Sequence, residues 1–322
     1  MSHDRTFRFG VQCSTASSAA EWRDRARKME DLGYSTLFAP DHFIGAPLAP
    51  MVAVAMAAEA TTTLRVGHLV LGNDYKHPAI VAKEAATIDL LSDGRMELGI
   101  GAGWHRREYE AYGYPFPPMV ERLAQLREAI GVVKRLWTGE PVDHDGPRYR
   151  LRAARCTPVP AQKPRPPILV GGGGPGLLAI AAAEADVVNV VPPASHGAAD
   201  PAAVRGFTLE RFQAKAAAVR RLAAEAGRDP ATVVLSAIFF VRVTDDAAST
   251  RQVHEAVAAR YGLSLPEAER FPLMLAGTPD ALRERLAERI AALDVGYVVL
   301  NFAAPEAITR FAAEVLPAFR RA

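Results

Sequence analysis

Asp41 and His42 follow directly on Thr36-Leu37-Phe38-Ala39-Pro40, so a carboxylate and an imidazole stand side by side at the end of a β-prone run. An imidazole titrating near neutrality can pass protons to a substrate. The pair alone reads equally as a structural histidine next to a helix cap. A second stretch, Leu98-Gly99-Ile100-Gly101-Ala102-Gly103-Trp104, has three alternate glycines and then a large ring. It suits either a planar ligand lying against bare backbone or close helix-to-strand packing around a core tryptophan. A third, Gly171-Gly172-Gly173-Gly174-Pro175-Gly176, runs into a helix near Leu177 and presents unblocked amides at a positive helix end, the chemistry of a phosphate site. Positions 171, 173 and 176 also spell GxGxxG. However, the next run, Val187 to Val191, leads into Pro192-Pro193 rather than the acid that a dinucleotide ribose requires.

Other chemistries leave no trace: there is no GxSxG, no HExxH, no P-loop lysine and no histidine pair at i, i+4. Cys13 and Cys156 stand far apart without ligand spacing, so no metal and no disulfide framework is expected. His3, His144, His196 and His254 read as solvated residues. His68 and His77 flank the third β-prone run and are within reach of a pocket, although His77 before Pro78 also reads as a turn residue.

These residues need elements to position them. Short β-branched or aromatic runs recur, each followed by a segment with apolar residues three and four apart, the pattern of βα units. The runs are Phe7 to Gln12, Thr36 to Ala39, Arg65 to Leu71, Met96 to Ile100, Ile168 to Gly171, Val187 to Val191, Val233 to Val243 and Tyr297 to Phe302. That number predicts an α/β fold, a (β/α)8 TIM barrel with insertions at the βα loops, over an open doubly wound sheet. Helices are expected around Val120 to Trp137, from Leu209 to Ala226 and from Pro279 to Leu293, with Gly33 ending the first. Three stretches exceed what a barrel needs: Trp104 to Pro167, with a short hairpin near Val142 to Val159, then Pro192 to Gly206 and Arg260 to Pro279. No linker divides the 322 residues, so residues 1–322 read as a single barrel domain.

Composition narrows the function. With 49% hydrophobic and 23% charged residues and a net charge of +2, the chain resembles an ordinary globular protein with no surplus for a polyanion, so nucleic acid is not expected as a partner. Ile168 to Ala183 is the longest uncharged stretch and is too short and glycine-rich to span a bilayer. No signal-peptide pattern opens the chain, and a cytoplasmic location is the expectation.

The blocks LGYSTLFAPDHF, LRVGHLVLGNDYKHPAIVAKEAATIDLLSDGRMELGIGAGW, PPILVGGGGPGLLAIAAAEADVVNVV, GTPDALRERL and GYVVLNF resemble the luciferase-like monooxygenase superfamily, and more closely its branch of coenzyme F420-dependent oxidoreductases. The resemblance implies a TIM barrel whose third strand carries a bulge with a non-prolyl cis peptide beneath the cofactor ring. It places that bulge at Leu69-Val70, next to Leu71, within one residue. It gives Asp41 and His42 catalytic roles and puts Trp104 and Arg107 at the cofactor. Gly172, Gly173, Gly174, Gly176 and Leu177, with Val191 after them, are placed at its phosphate. In the sugar-phosphate dehydrogenases of that branch a catalytic glutamate stands where this chain has Trp104, which argues against sugar-phosphate oxidation. The implied activity is hydride transfer between F420 and a small organic substrate, with His42 handling the proton and Asp41 holding the histidine or a ring edge. The rivals are a monooxygenase using reduced FMN and dioxygen, and a flavin-binding protein without turnover. Relatives of this kind commonly form homodimers, and the Ala-rich stretch Val52 to Ala60 suits a helical interface between copies or packing within one chain equally well.

Overall fold

A computed structural model describes residues 7–192 and 201–320. The strands are β1 (Arg8–Gln12), β2 (Thr36–Ala39), β3 (Arg65–His68), its short continuation β4 (Leu71–Gly72) and β5 (Met96–Gly101). They continue with β6 (Val142–Asp145), β7 (Arg150–Ala154), β8 (Ile168–Gly172), β9 (Val187–Val190), β10 (Val234–Val243), β11 (Met274–Gly277) and β12 (Tyr297–Phe302). The strands β1, β2, β3, β5, β8, β9, β10 and β12 pair in parallel, each with the next, and β12 returns to β1 to close the ring. This is a (β/α)8 barrel, as the alternation predicts.

The helices are α1 (Ala19–Asp31), α2 (Pro50–Glu59), α3 (Pro78–Leu91), α4 (Arg106–Tyr112), α5 (Met119–Leu136) and α6 (Pro175–Glu184). After them come α7 (Pro201–Arg205), α8 (Leu209–Glu225), α9 (Ala247–Tyr261), α10 (Leu265–Arg270), α11 (Pro279–Leu293) and α12 (Pro305–Glu314). Local signals set their ends. The Ser18 hydroxyl accepts from Glu21 N at 3.1 Å to start α1, Trp22, Ala26 and Met29 bury one face, and Gly33 at φ 75° turns the chain away. Thr278 caps α11 ahead of Pro279 in the same way. A small apolar cluster of Phe38, Leu69, Leu169, Val187, Ile238, Tyr297 and Val299 fills the inside of the ring, while the main core lies between the strands and the helices.

The structure departs from the sequence reading in four places. The run Arg65 to Leu71 is not one strand: β3 stops at His68 and pairing resumes at Leu71. A strand at Met274–Gly277 was not expected, because its four residues sit among prolines. It forms since β10 is long enough to pair with β9, then β12, and finally through Phe240–Val243 with β11. His254 is not solvated: it lies buried on α9, 3.4 Å from Arg285 Nη1. His144 on β6 is half-buried and meets Glu128 Oε1 at 2.9 Å, fastening the expected hairpin to α5. His3, His196 and part of the stretch Pro192 to Gly206 lie outside the described residues. Among the described residues, no helix is long and apolar enough to cross a membrane.

The N-terminal end of the barrel carries a buried charge network. Glu97, 1% exposed, receives the guanidiniums of Arg8 and Arg65, and the Tyr297 hydroxyl lies between Thr36 Oγ1 and Glu97 Oε2, within hydrogen-bond distance of both. Removing the one carboxylate leaves two cations without compensation. Glu97→Gln is expected to lower the unfolding free energy by about 3 kcal/mol, read from the urea midpoint, with activity per folded molecule unchanged; an unaltered midpoint would contradict the role given to this network.

Candidate active site

The interruption of the third strand lies at the opposite, C-terminal end of the ring, where barrels place their reactive groups. The Leu69–Val70 peptide bond is cis, at the position the resemblance implies. Polar groups from three neighbouring strands hold it. Gln12 Nε2 donates to Leu69 O at 2.9 Å, and Asn301 Nδ2 fixes Gln12 by donating to its Oε1 at 2.8 Å. On the far side, Gly72 N donates to Asp41 Oδ2 at 3.1 Å. Asp41 thus anchors the chain beyond the cis bond, and it does not hold His42.

The alternate glycines explain how Val70 fits. A Cβ on Gly101 or Gly171 would lie 2.9 or 3.0 Å from a Val70 methyl, so the two glycines leave Val70 a bare backbone floor. A Cβ on Gly99 would meet His68 O at 1.7 Å, which bars any side chain there. Trp104, just beyond these glycines, is not a core residue. It is half-buried, with its ring edge-on to His42 at 5.4 Å between centroids.

His42 is held by a carboxylate that sequence reasoning missed. His42 Nδ1 lies 3.1 and 3.2 Å from the two oxygens of Glu108, a fully buried residue of α4. Glu108 Oε1 also accepts from Ile44 N at 2.8 Å, and Tyr75 OH donates to Oε2 at 3.3 Å. With Nδ1 engaged, Nε2 is the ring nitrogen left to face a reactant. The signal was weak, because Glu108 sits in Arg106-Arg107-Glu108-Tyr109-Glu110, a charged run that reads as a solvated helix face. Phe43, exposed and next to His42, stacks on Tyr112 at 4.2 Å and extends the aromatic rim.

The glycine turn is shaped for an anion. Gly174 begins α6 with no side-chain cap and has open space where a Cβ would stand, so no side chain of the turn caps the first-turn amides of Gly176 and Leu177. Gly173 presses on the next strand, since a Cβ there would lie 1.9 Å from Val191 O, and the Leu177 side chain covers Gly172. Arg107 is exposed on α4 and makes no ion pair among the described residues. His68 is fully buried, with neither ring nitrogen bonded, and burial pushes its pKa down to about 3. It is a neutral residue on the Val66 side of β3 and takes no part in the pocket. His77 is the turn residue, capping α3 through Ala79 N. Among the described residues, no cluster of three or more His, Cys, Asp or Glu could hold a metal ion.

Burial raises the Asp41 pKa above its ordinary value, with the Gly72 amide and Lys76 opposing the shift. A carboxyl whose folded pKa is raised destabilises the fold while ionised, and this cost disappears as the pH falls below the unfolded value of about 3.9. Asp41→Asn keeps an acceptor for Gly72 N and removes the charge. It is expected to raise the melting temperature of the ligand-free protein by about 2 °C at pH 7, with the gain shrinking toward pH 4. A gain independent of pH would refute the assignment.

Comparisons with known proteins bear on the family and the fold. The chain is 37% identical over 162 residues to the F420-dependent glucose-6-phosphate dehydrogenase of Intrasporangium calvum, covering 47% of this chain and 48% of that one. It is 33% identical over 192 residues to the enzyme of that name from Kineococcus radiotolerans, covering 57% and 56%. The chain therefore spans about half the length of the curated relatives it matches. In fold it is similar to the coenzyme F420-dependent tetrahydromethanopterin reductase of Methanopyrus kandleri, with a TM-score of 0.79 at 21% identity over 98% of this chain and 99% of that one. It is also similar to an F420-dependent secondary alcohol dehydrogenase, with a TM-score of 0.81 at 19% identity over 98% and 100%. The family model of the luciferase-like monooxygenases matches residues 5–296. With a closed barrel and a bulged third strand beside that match, the chain belongs to the luciferase-like monooxygenase family.

Proposed function

We propose that this chain is an F420-dependent oxidoreductase that moves a hydride between the deazaflavin and a small organic substrate, with His42 carrying the accompanying proton. The observation that carries the reading is the clamp of Glu108 on His42 Nδ1, which fixes the ring and leaves Nε2 as the nitrogen open to a reactant, on a chain whose third strand is broken by the cis bond at Leu69–Val70. The F420-dependent curated relatives support the choice of cofactor. When bound, the deazaflavin supplies the carbon that gives or takes the hydride.

The protein's own groups do the rest. Leu69, Val70 and Leu71 support one face of a flat ring, and Asp41 and Gln12 keep that support in place. Gly172, Gly173, Gly174, Gly176 and Leu177, with Val191 behind them, receive the phosphate through amides, and Arg107 stands free to approach the cofactor from α4. Trp104 and Phe43 narrow the space beside His42 and exclude water from it. His42 donates its proton from Nε2 to a substrate being reduced, or accepts one from an alcohol being oxidised, and Glu108 stabilises the protonated ring. Glu108 already serves His42, Ile44 and Tyr75, so it does not replace the acid absent at position 104, and this argues against sugar-phosphate oxidation by that acid/base pair.

Titration with F420 and with FMN, followed in the visible spectrum, tests the cofactor. Tight binding of the single-banded deazaflavin supports the reading, preference for the two-banded flavin turns it toward the monooxygenase, and a bound ring that candidate substrates never oxidise or reduce makes the protein a carrier. His42→Ala is expected to cut turnover by about 10² while leaving cofactor affinity nearly intact. Glu108→Gln, which keeps an acceptor but loses the charge, is expected to cost about tenfold in turnover. Unchanged turnover in His42→Ala would remove the histidine from the mechanism.

A further inference from the structure

A cavity of about 300 Å³ opens between α7 and α8, lined by Gly206, Phe207, Arg211, Ala214 and Lys215. It adjoins the glycine turn, because Lys215 Nζ donates to Gly173 O. Arg211 and Lys215 lie four residues apart on α8 and so share one helix face, where like charges repel. Among the described residues no acid pairs with either. Arg211 makes no ion pair among the described residues, and the one hydrogen-bond partner of Lys215 is a carbonyl. Glu210, next to Arg211, is bonded to Thr208 instead. Farther along the same helix the pattern reverses, with Arg220 paired to Asp294 and Arg221 to Glu225. Burial and the charge of Arg211 both lower the Lys215 pKa, as expected for a cation whose counter-charge is absent. Two unpaired cations around a cavity at the end of a phosphate-shaped turn suit a ligand with more negative charge than the turn itself can meet.

We propose that Arg211 and Lys215 bind the acidic tail of the cofactor: the phosphodiester sits at the glycine turn, and the glutamate carboxylates that follow it in coenzyme F420 enter the cavity. This rests on the F420 reading and assigns the chain a preference for glutamylated cofactor. Phosphate and carboxylate are both anions that this cation pair could hold, so the test separates them.

Binding is measured by deazaflavin fluorescence for three ligands: the phosphate-free deazaflavin riboside, F420 without glutamates, and F420 with several. The native chain is expected to bind the glutamylated form about tenfold more tightly than the form without glutamates, with the gap closing as salt is raised. Arg211→Ala is expected to weaken glutamylated F420 about fivefold, and Arg211→Glu to abolish the preference, leaving the riboside unaffected. Arg221→Ala, on the same helix but paired elsewhere, serves as control. Equal affinity for the two phosphorylated forms overturns the proposal, and so does an Arg211 effect that appears already without glutamates, which would assign the cations to the phosphate. In both cases the F420 reading stands. Failure of all three ligands to bind overturns that reading and the proposal together.

Discussion

At Gly99 the backbones of the third and fourth ring strands approach so closely that a single methyl group would overlap the carbonyl oxygen of His68. The mouth of the barrel depends on this contact. Just beyond it the chain leaves the ladder at Leu69–Val70, and Val70 lies over Gly101 and Gly171. Gln12, steadied by Asn301, and Asp41 then fasten the interruption from both sides. The Val70 side chain is thereby seated on the glycines, with polar groups holding the chain on either side of it.

The two ends of the barrel use buried carboxylates for different purposes. Glu97 balances two arginines and meets a tyrosine hydroxyl at the N-terminal end, joining the strands there. Glu108 at the other end collects an imidazole, a backbone amide and a phenol, none of which is a permanent cation. The placement that satisfies Glu108 also orients His42, so one interaction serves packing and chemistry together.

Beyond that constellation the polar groups follow a gradient. The face of α8 toward the chain's later elements is laced with ion pairs, whereas the end nearest the glycine turn keeps two cations without acids. Uncompensated charge next to a cavity costs stability, and a charged ligand removes that cost.

The order of strands and helices, the ring, the hairpin near Val142 to Val159, the glycine turn and the Asp41-His42 pair were legible in the chain, because periodicity, caps and glycine spacing are local properties that survive in any fold consistent with them. The position of the cis bond came from resemblance to a family and not from local physics. Glu108, Gln12 and Asn301 were hidden because each is an ordinary polar residue until strands 57 or more residues apart meet, as Gln12 and Leu69 do. Burial of His254 and pairing of Met274–Gly277 were likewise set by neighbours distant in sequence. Residue type and spacing alone determined which elements form and where glycine must stand. Only the closed ring decided which carboxylate reaches His42, since a hydrogen bond needs two groups within about 3 Å, and that distance is a property of the folded chain.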